Sequence, residues 1–191
     1  MEHTKALADR VYTNEGLAAE SLRILTANVL LALCAQIAIP VPWSPAPITG
    51  QTFGVLLVAI LFGSRRGALA LLLYLLEGIS GLPVFQPFGM PGPARFWGPT
   101  AGYLLAFPPA AFLTGWIFER GKQSFRRLAG ALVSGEAVIL LSGCAWLAAE
   151  SGAGFASALR MGVLPFIPGE LLKMALIVAV VRGFEFARRK A

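Results

Sequence analysis

Six apolar runs, separated by polar or Pro/Gly-rich breaks, organise the chain: Leu22–Ile39, Phe53–Phe62, Gly67–Ile79, Gly98–Phe118, Leu128–Ala149 and Met161–Val181. At about 1.5 Å per helical residue, the first, fourth, fifth and sixth are long enough to cross roughly 30 Å of hydrocarbon. The second and third are too short unless flanking residues extend them or the bilayer thins. A re-entrant hairpin sheltered by protein is the alternative, and either arrangement leaves both ends of the chain on one side. The pattern predicts an all-α integral membrane protein of six transmembrane helices. Residues 1–21 form an N-terminal tail, 22–183 the membrane domain and 184–191 a basic C-terminal tail.

Composition supports that class. Of 191 residues, 57% are hydrophobic and 14% charged, against roughly 45–50% and about 25% in ordinary soluble domains. Such a chain has too few polar side chains to cover a soluble surface. The formal charge of +6 raises the question of nucleic acid, and the placement of the cations answers it. Thirteen of the sixteen basic residues fall on one set of loops: Lys5, Arg10, Arg23, Arg65, Arg66, Arg120, Lys122, Arg126, Arg127, Arg182, Arg188, Arg189 and Lys190. The opposite loops hold Arg95 and Arg160. By the positive-inside rule both termini are cytoplasmic, and the Arg65–Arg66 pair favours two short spanning helices over an outward hairpin. The basic balance is topological, and no nucleic-acid partner is expected. The N-terminal stretch does not read as a cleaved signal.

Several chemistries lack their parts. The sole histidine, His3, and the sole aspartate, Asp9, lie in the N-terminal tail. A histidine-ligated metal site, a serine–histidine pair and a two-aspartate protease are therefore not expected, and no cofactor is called for. Gly115 to Gly121-Lys122 misses the phosphate-loop spacing by one residue, and Gln-Ser follows the lysine. Cys34 and Cys144 sit inside apolar runs as small hydrophobes.

Charges within the apolar runs carry the information, because each is costly at membrane depth. They are Glu77, Glu136, Glu170 and Lys173. In Pro165-Phe166-Ile167-Pro168-Gly169-Glu170-Leu171-Leu172-Lys173, the prolines and glycine interrupt a helix and restart it near Pro168. Glu170 then lies in a first turn, with Lys173 three residues on along the same face. A broken helix bearing a carboxylate and an ammonium at membrane depth resembles a transporter site; an internal ion pair is the alternative. Glu136 reads as a buried structural carboxyl. The uncharged stretch from Pro40 to Thr52 and the Gly/Pro/aromatic stretch 81–98 are expected to cap a pocket from outside. They bring Trp43, Phe85 and Trp97 toward a ligand and Arg95 toward an anion.

These motifs resemble the BioY biotin-uptake proteins. The resemblance rests on Pro47-Ile48-Thr49-Gly50-Gln51-Thr52-Phe53-Gly54 with Gly63-Ser64-Arg65-Arg66-Gly67-Ala68, then Gly81-Leu82-Pro83-Val84-Phe85, then Gly98-Pro99-Thr100-Ala101-Gly102-Tyr103-Leu104, and last the Pro165–Lys173 segment. It implies a plasma-membrane, substrate-binding subunit of an energy-coupling factor transporter, not an enzyme. Its expected partners are biotin, membrane lipid, a transmembrane coupling protein and two ABC-type ATPases. It also implies that Glu170 and Lys173 meet the urea of the ring, and that Arg95, with Tyr103 or Gln51, holds the carboxylate. Thr49, Phe85 and Trp43 complete the expected site. Glu170 stands where the family usually has aspartate, and Ala101 where it has glycine. The competing expectations are uptake of another small vitamin or heterocycle, and an intramembrane enzyme using Glu170 and Lys173 as acid and base.

Overall fold

The computed structural model describes residues 16–121, 124–152 and 154–190. Most of the expected N-terminal tail, residues 1–15, lies outside the described residues, as does Lys122. Among the described residues, seven α-helices follow in order: α1 Leu17–Gln36, α2 Gln51–Phe62, α3 Ser64–Ile79, α4 Ala101–Glu119, α5 Phe125–Ser151, α6 Phe155–Gly162 and α7 Ile167–Lys190. The backbone of α7 continues through the stretch expected as a separate C-terminal tail. A short 3₁₀ helix, Gly92–Trp97, lies in the loop between α3 and α4. The Pro-rich loop after α1 is a hairpin, not a free coil: β1 Ala38–Ile39 pairs antiparallel with β2 Ile48–Thr49, Ala38 opposite Thr49 and Ile39 opposite Ile48.

α1, α4 and α5 are each long and apolar enough to cross a membrane, and α6 with α7 makes a fourth candidate bent by 51°. The sixth run is thus two helices, because Val163–Phe166 breaks it where prolines crowd the chain. The restart expected near Pro168 is observed at Ile167.

α2 has 12 residues and reaches only about 18 Å. Its position explains how so short a helix is accommodated. Eight of its residues are buried, and α1, α3, α4, α5 and α7 all pack around it. Protein surrounds most of its length, so this short helix is matched to its neighbours more than to lipid. One residue, Gly63 at φ 85°, joins it to α3. There the Glu119 carboxylate of α4 accepts from Ser64 N and Ser64 Oγ, both at 2.7 Å.

Two of the three buried clusters among the described residues hold most of the bundle together. One joins Leu31 of α1, Val55 and Val58 of α2, Leu71 and Tyr74 of α3, and Phe107 of α4. The other joins Leu56, Leu132 and Ile177 from α2, α5 and α7. Outward, Leu33, Leu76, Leu141 and Leu172 are each at least 60% exposed, an apolar exterior suited to lipid. The loops rich in cations gather at one end. Arg66 pairs with Glu20 at 2.5 Å, and the Arg182 guanidinium lies 6.0 Å from the Phe125 ring at the start of α5.

Candidate functional site

The site forms where three irregular segments meet the ends of α2, α4 and α7. At the start of α2, Thr49 Oγ1 accepts from Gln51 N at 3.3 Å and donates to Gln51 Oε1 at 3.2 Å. That fixes the Gln51 amide, whose Nε2 donates to the buried Tyr74 hydroxyl at 2.8 Å. Gly50 is required at this point, since a β-carbon would stand 2.5 Å from the Cys34 carbonyl oxygen. Thr52 follows and faces α7.

At the start of α7, Pro168 occupies a first-turn position where its missing N–H costs nothing. Glu170 N donates to Phe166 O at 2.9 Å, and the carboxyl sits where the helix dipole favours an anion. Only 4% of Glu170 is exposed. Thr52 Oγ1 donates to Glu170 Oε2 at 2.6 Å, Lys173 Nζ donates to Glu170 Oε1 at 2.8 Å, and Lys173 Nζ donates to Thr52 Oγ1 at 2.9 Å. These three side chains close a ring. It neutralises one charge of each sign at membrane depth and leaves one Lys173 proton over for a further acceptor.

Above the ring lies a cavity of about 50 Å³ lined by Thr49, Gln51, Thr52, Arg95, Tyr103 and Glu170, with Phe107, Leu140 and Phe166 among its apolar walls. A second cavity of about 200 Å³, under the Pro40–Pro47 loop, shares Pro47, Gln86, Arg95 and Thr100 with the first. Arg95 thus stands between an inner chamber and an outer one. Its guanidinium donates to three main-chain carbonyls, from Nε to Met90 O at 2.8 Å, Nη1 to Phe88 O at 2.8 Å and Nη2 to Gln86 O at 3.1 Å. Five N–H groups are available, so two remain for an anion. Burial lowers the Arg95 pKa from the ordinary arginine value, which starts high enough that the group stays cationic.

The structure therefore brings Glu170, Lys173, Arg95, Tyr103, Gln51 and Thr49 together. It does not bring in Trp43 or Phe85. Trp43 is 59% exposed on the hairpin and lines neither cavity. Phe85 is buried as a packing keystone: its ring meets Tyr74 at 5.2 Å and Phe96 at 5.9 Å, and Arg95 lies 5.5 Å over it. Trp97 is also exposed. The Tyr103 hydroxyl has one proton and donates it to Gly162 O at 2.7 Å, so toward the cavity it offers an acceptor and a ring face. Reading the sequence missed Thr52, Gln86, Thr100 and Tyr74. Thr52 was the most accessible of these: it is one residue past Gln51 in a first helical turn, where two adjacent polar side chains stand directly before an apolar run.

The chain matches the model of the BioY family over residues 5–190. It is 36% identical over 170 residues to a protein of Rhizobium etli named biotin transporter BioY, covering 85% of this chain and 89% of that one. It is 38% identical over 157 residues to a probable biotin transporter BioY of Pyrococcus horikoshii, covering 82% and 90%. Its fold superposes on a crystal structure of the S-component for biotin from an ECF-type ABC transporter with a TM-score of 0.78, at 26% identity, over 90% of this chain and 95% of that one. From its N-terminal region to the end of α7, the chain belongs to the BioY family.

Proposed function

We propose that this protein is the substrate-binding subunit of a biotin uptake system in the plasma membrane. It is read as a six-span protein with both termini cytoplasmic, the bent α6–α7 pair counting as one span. The observation that carries the reading is the neutral Thr52–Glu170–Lys173 ring under a cavity whose far wall holds a buried arginine. Biotin has matching ends. Its urea presents two N–H donors and one carbonyl acceptor, and its tail ends in a carboxylate. Glu170 accepts from a urea N–H, Lys173 gives its remaining proton to the urea carbonyl, and the two unused N–H groups of Arg95 take the carboxylate. Leu104, Phe107 and Phe166 cover the apolar ring and chain. Gln51 and Thr49 furnish polar groups along the wall, and the Tyr103 ring closes the side.

The 50 Å³ inner chamber is narrower than a bicyclic ligand needs. Entry therefore widens it toward the outer chamber, with Arg95 and the Gln86–Met90 main chain giving way. Energy coupling falls to a transmembrane partner with two ABC-type ATPases, and binding itself involves no covalent step. Purified protein should bind radiolabelled biotin tightly; micromolar or absent affinity overturns the assignment. A competition panel of other vitamins separates biotin from a related heterocycle, and recovery of unchanged ligand separates binding from catalysis. Copurification with ATPase subunits tests the coupling.

A further inference from the structure

Among the described residues, the binding reading leaves one deeply buried carboxyl unused. Glu136 lies in the middle of α5, 4% exposed, and neither of its carboxyl oxygens has a hydrogen-bond partner. Its place relative to the site follows from helix register. α5 and α7 run in opposite directions, with Arg182 late in α7 beside Phe125 at the start of α5. Leu132 and Ile177 share one packed cluster. One helical turn further along each helix, in the direction of the cavity, lie Glu136 and Lys173.

That register sets Glu136 beside the turns of α7 that carry Glu170 and Lys173. From α4 comes the Thr114 hydroxyl, fully buried and also without a partner, in the space left by the missing side chain of Gly135. α2 brings Leu56 to the same place. Among the described residues, Glu170 and Lys173 are the charged groups that this register sets beside Glu136.

Charge balance then decides its resting state. Glu170 and Lys173 already neutralise each other, so an ionised Glu136 leaves one uncompensated negative charge in a low-dielectric interior. A buried carboxyl in that position keeps its proton. Ionisation changes what Lys173 faces, from one carboxylate to two. The second carboxylate competes for the Lys173 proton that the ligand's carbonyl requires.

We propose that Glu136 is a proton-binding site linked to ligand occupancy: its neutral form leaves Lys173 to Glu170 and the ligand, and its ionised form draws the ammonium away. This rests on the biotin reading above. Linkage fixes the sign. A ligand that prefers the protonated form binds more weakly as pH rises through the ionisation of Glu136, and its binding takes up a proton there. The biotin carboxyl is already ionised from about pH 5.5 upward and adds no slope of its own.

The test is calorimetric titration of biotin into the full chain in lipid nanodiscs between pH 5.5 and 9. Each titration is repeated in two buffers of different ionisation enthalpy, so that protons taken up are counted. The wild type should lose affinity toward the alkaline end, approaching tenfold per pH unit, with uptake of up to one proton. Glu136→Gln, which mimics the neutral carboxyl in size, should hold one affinity across the range and take up none. A wild type that binds biotin with a flat profile and no proton uptake overturns the proposal, as does an E136Q protein with the wild-type slope. Should E136Q fail to fold, the proton count on the wild type decides alone. Failure of the wild type to bind biotin at any pH overturns the functional reading instead.

Discussion

Replacing Lys173 with alanine tests the centre of the site. The substitution removes the ammonium that bonds Glu170 Oε1 at 2.8 Å and Thr52 Oγ1 at 2.9 Å. Glu170, 4% exposed, keeps only its bond from Thr52. Breaking a buried pair from one side costs about 3–5 kcal/mol, since the surviving charge is left without its partner. The lower end of that range is about 3 kcal/mol. For a chain of this size that lowers the melting temperature by about 6–12 °C. Biotin also loses a charge-assisted hydrogen bond worth about 1.5–3 kcal/mol, or roughly 10- to 150-fold in affinity. The two effects separate in the double variant Glu170→Gln, Lys173→Met, which has no buried charge to strand. Its melting temperature should recover most of the loss while binding stays poor. Thermal unfolding in detergent and equilibrium binding of labelled biotin measure both. The reasoning is refuted if K173A melts and binds like the wild type, or if the double variant is no more stable than K173A.

Arg95→Lys keeps the charge but cannot serve three carbonyls and a carboxylate at once. Biotin affinity should fall at least tenfold, and the wild-type preference for biotin over its uncharged amide should shrink, as a competition assay will report. Tyr103→Phe removes the bond to Gly162 O and leaves a buried carbonyl unpaired, costing about 1–2 kcal/mol of stability; thermal unfolding checks it. Trp43→Ala, on the exposed hairpin tip, should leave the biotin dissociation constant within twofold.

The fold was legible wherever a residue's role depended on its near neighbours in the chain. Pro165, Pro168 and Gly169 announced the break before α7, and the i, i+3 spacing of Glu170 and Lys173 survived as a 2.8 Å ion pair. The short second run proved to be an enclosed helix, which its length hinted at but its composition could not distinguish from a lipid-facing one. What stayed hidden depends on distant contacts. Whether Phe85 lines a cavity or fills a core is decided by Tyr74, Gly78 and Phe96, and no local pattern carries that. The loop that carries Trp43 does roof the outer cavity, but which of its side chains face inward is decided by packing that no local pattern carries. Tyr103 or Gln51 is expected beside Arg95 at the ligand's carboxylate; that the Tyr103 proton goes to Gly162, fifty-nine residues away, is again a contact no local pattern carries.

The seam between α4 and α5 has a mechanical consequence. Tyr103 and Thr114 of α4 occupy spaces beside Gly143 and Gly135 of α5, and Trp146 of α5 occupies the space beside Gly102 of α4. A β-carbon at any of the three glycines would overlap its neighbour. The teeth point in both directions, so neither helix can slide along the other by a residue without driving a side chain into a filled position. The seam works as a keyed joint that transmits force along its length without changing register. Displacements that open the cavity are left to the segments outside it: the hairpin before α2, the Gln86–Met90 stretch beside Arg95 and the bend before α7.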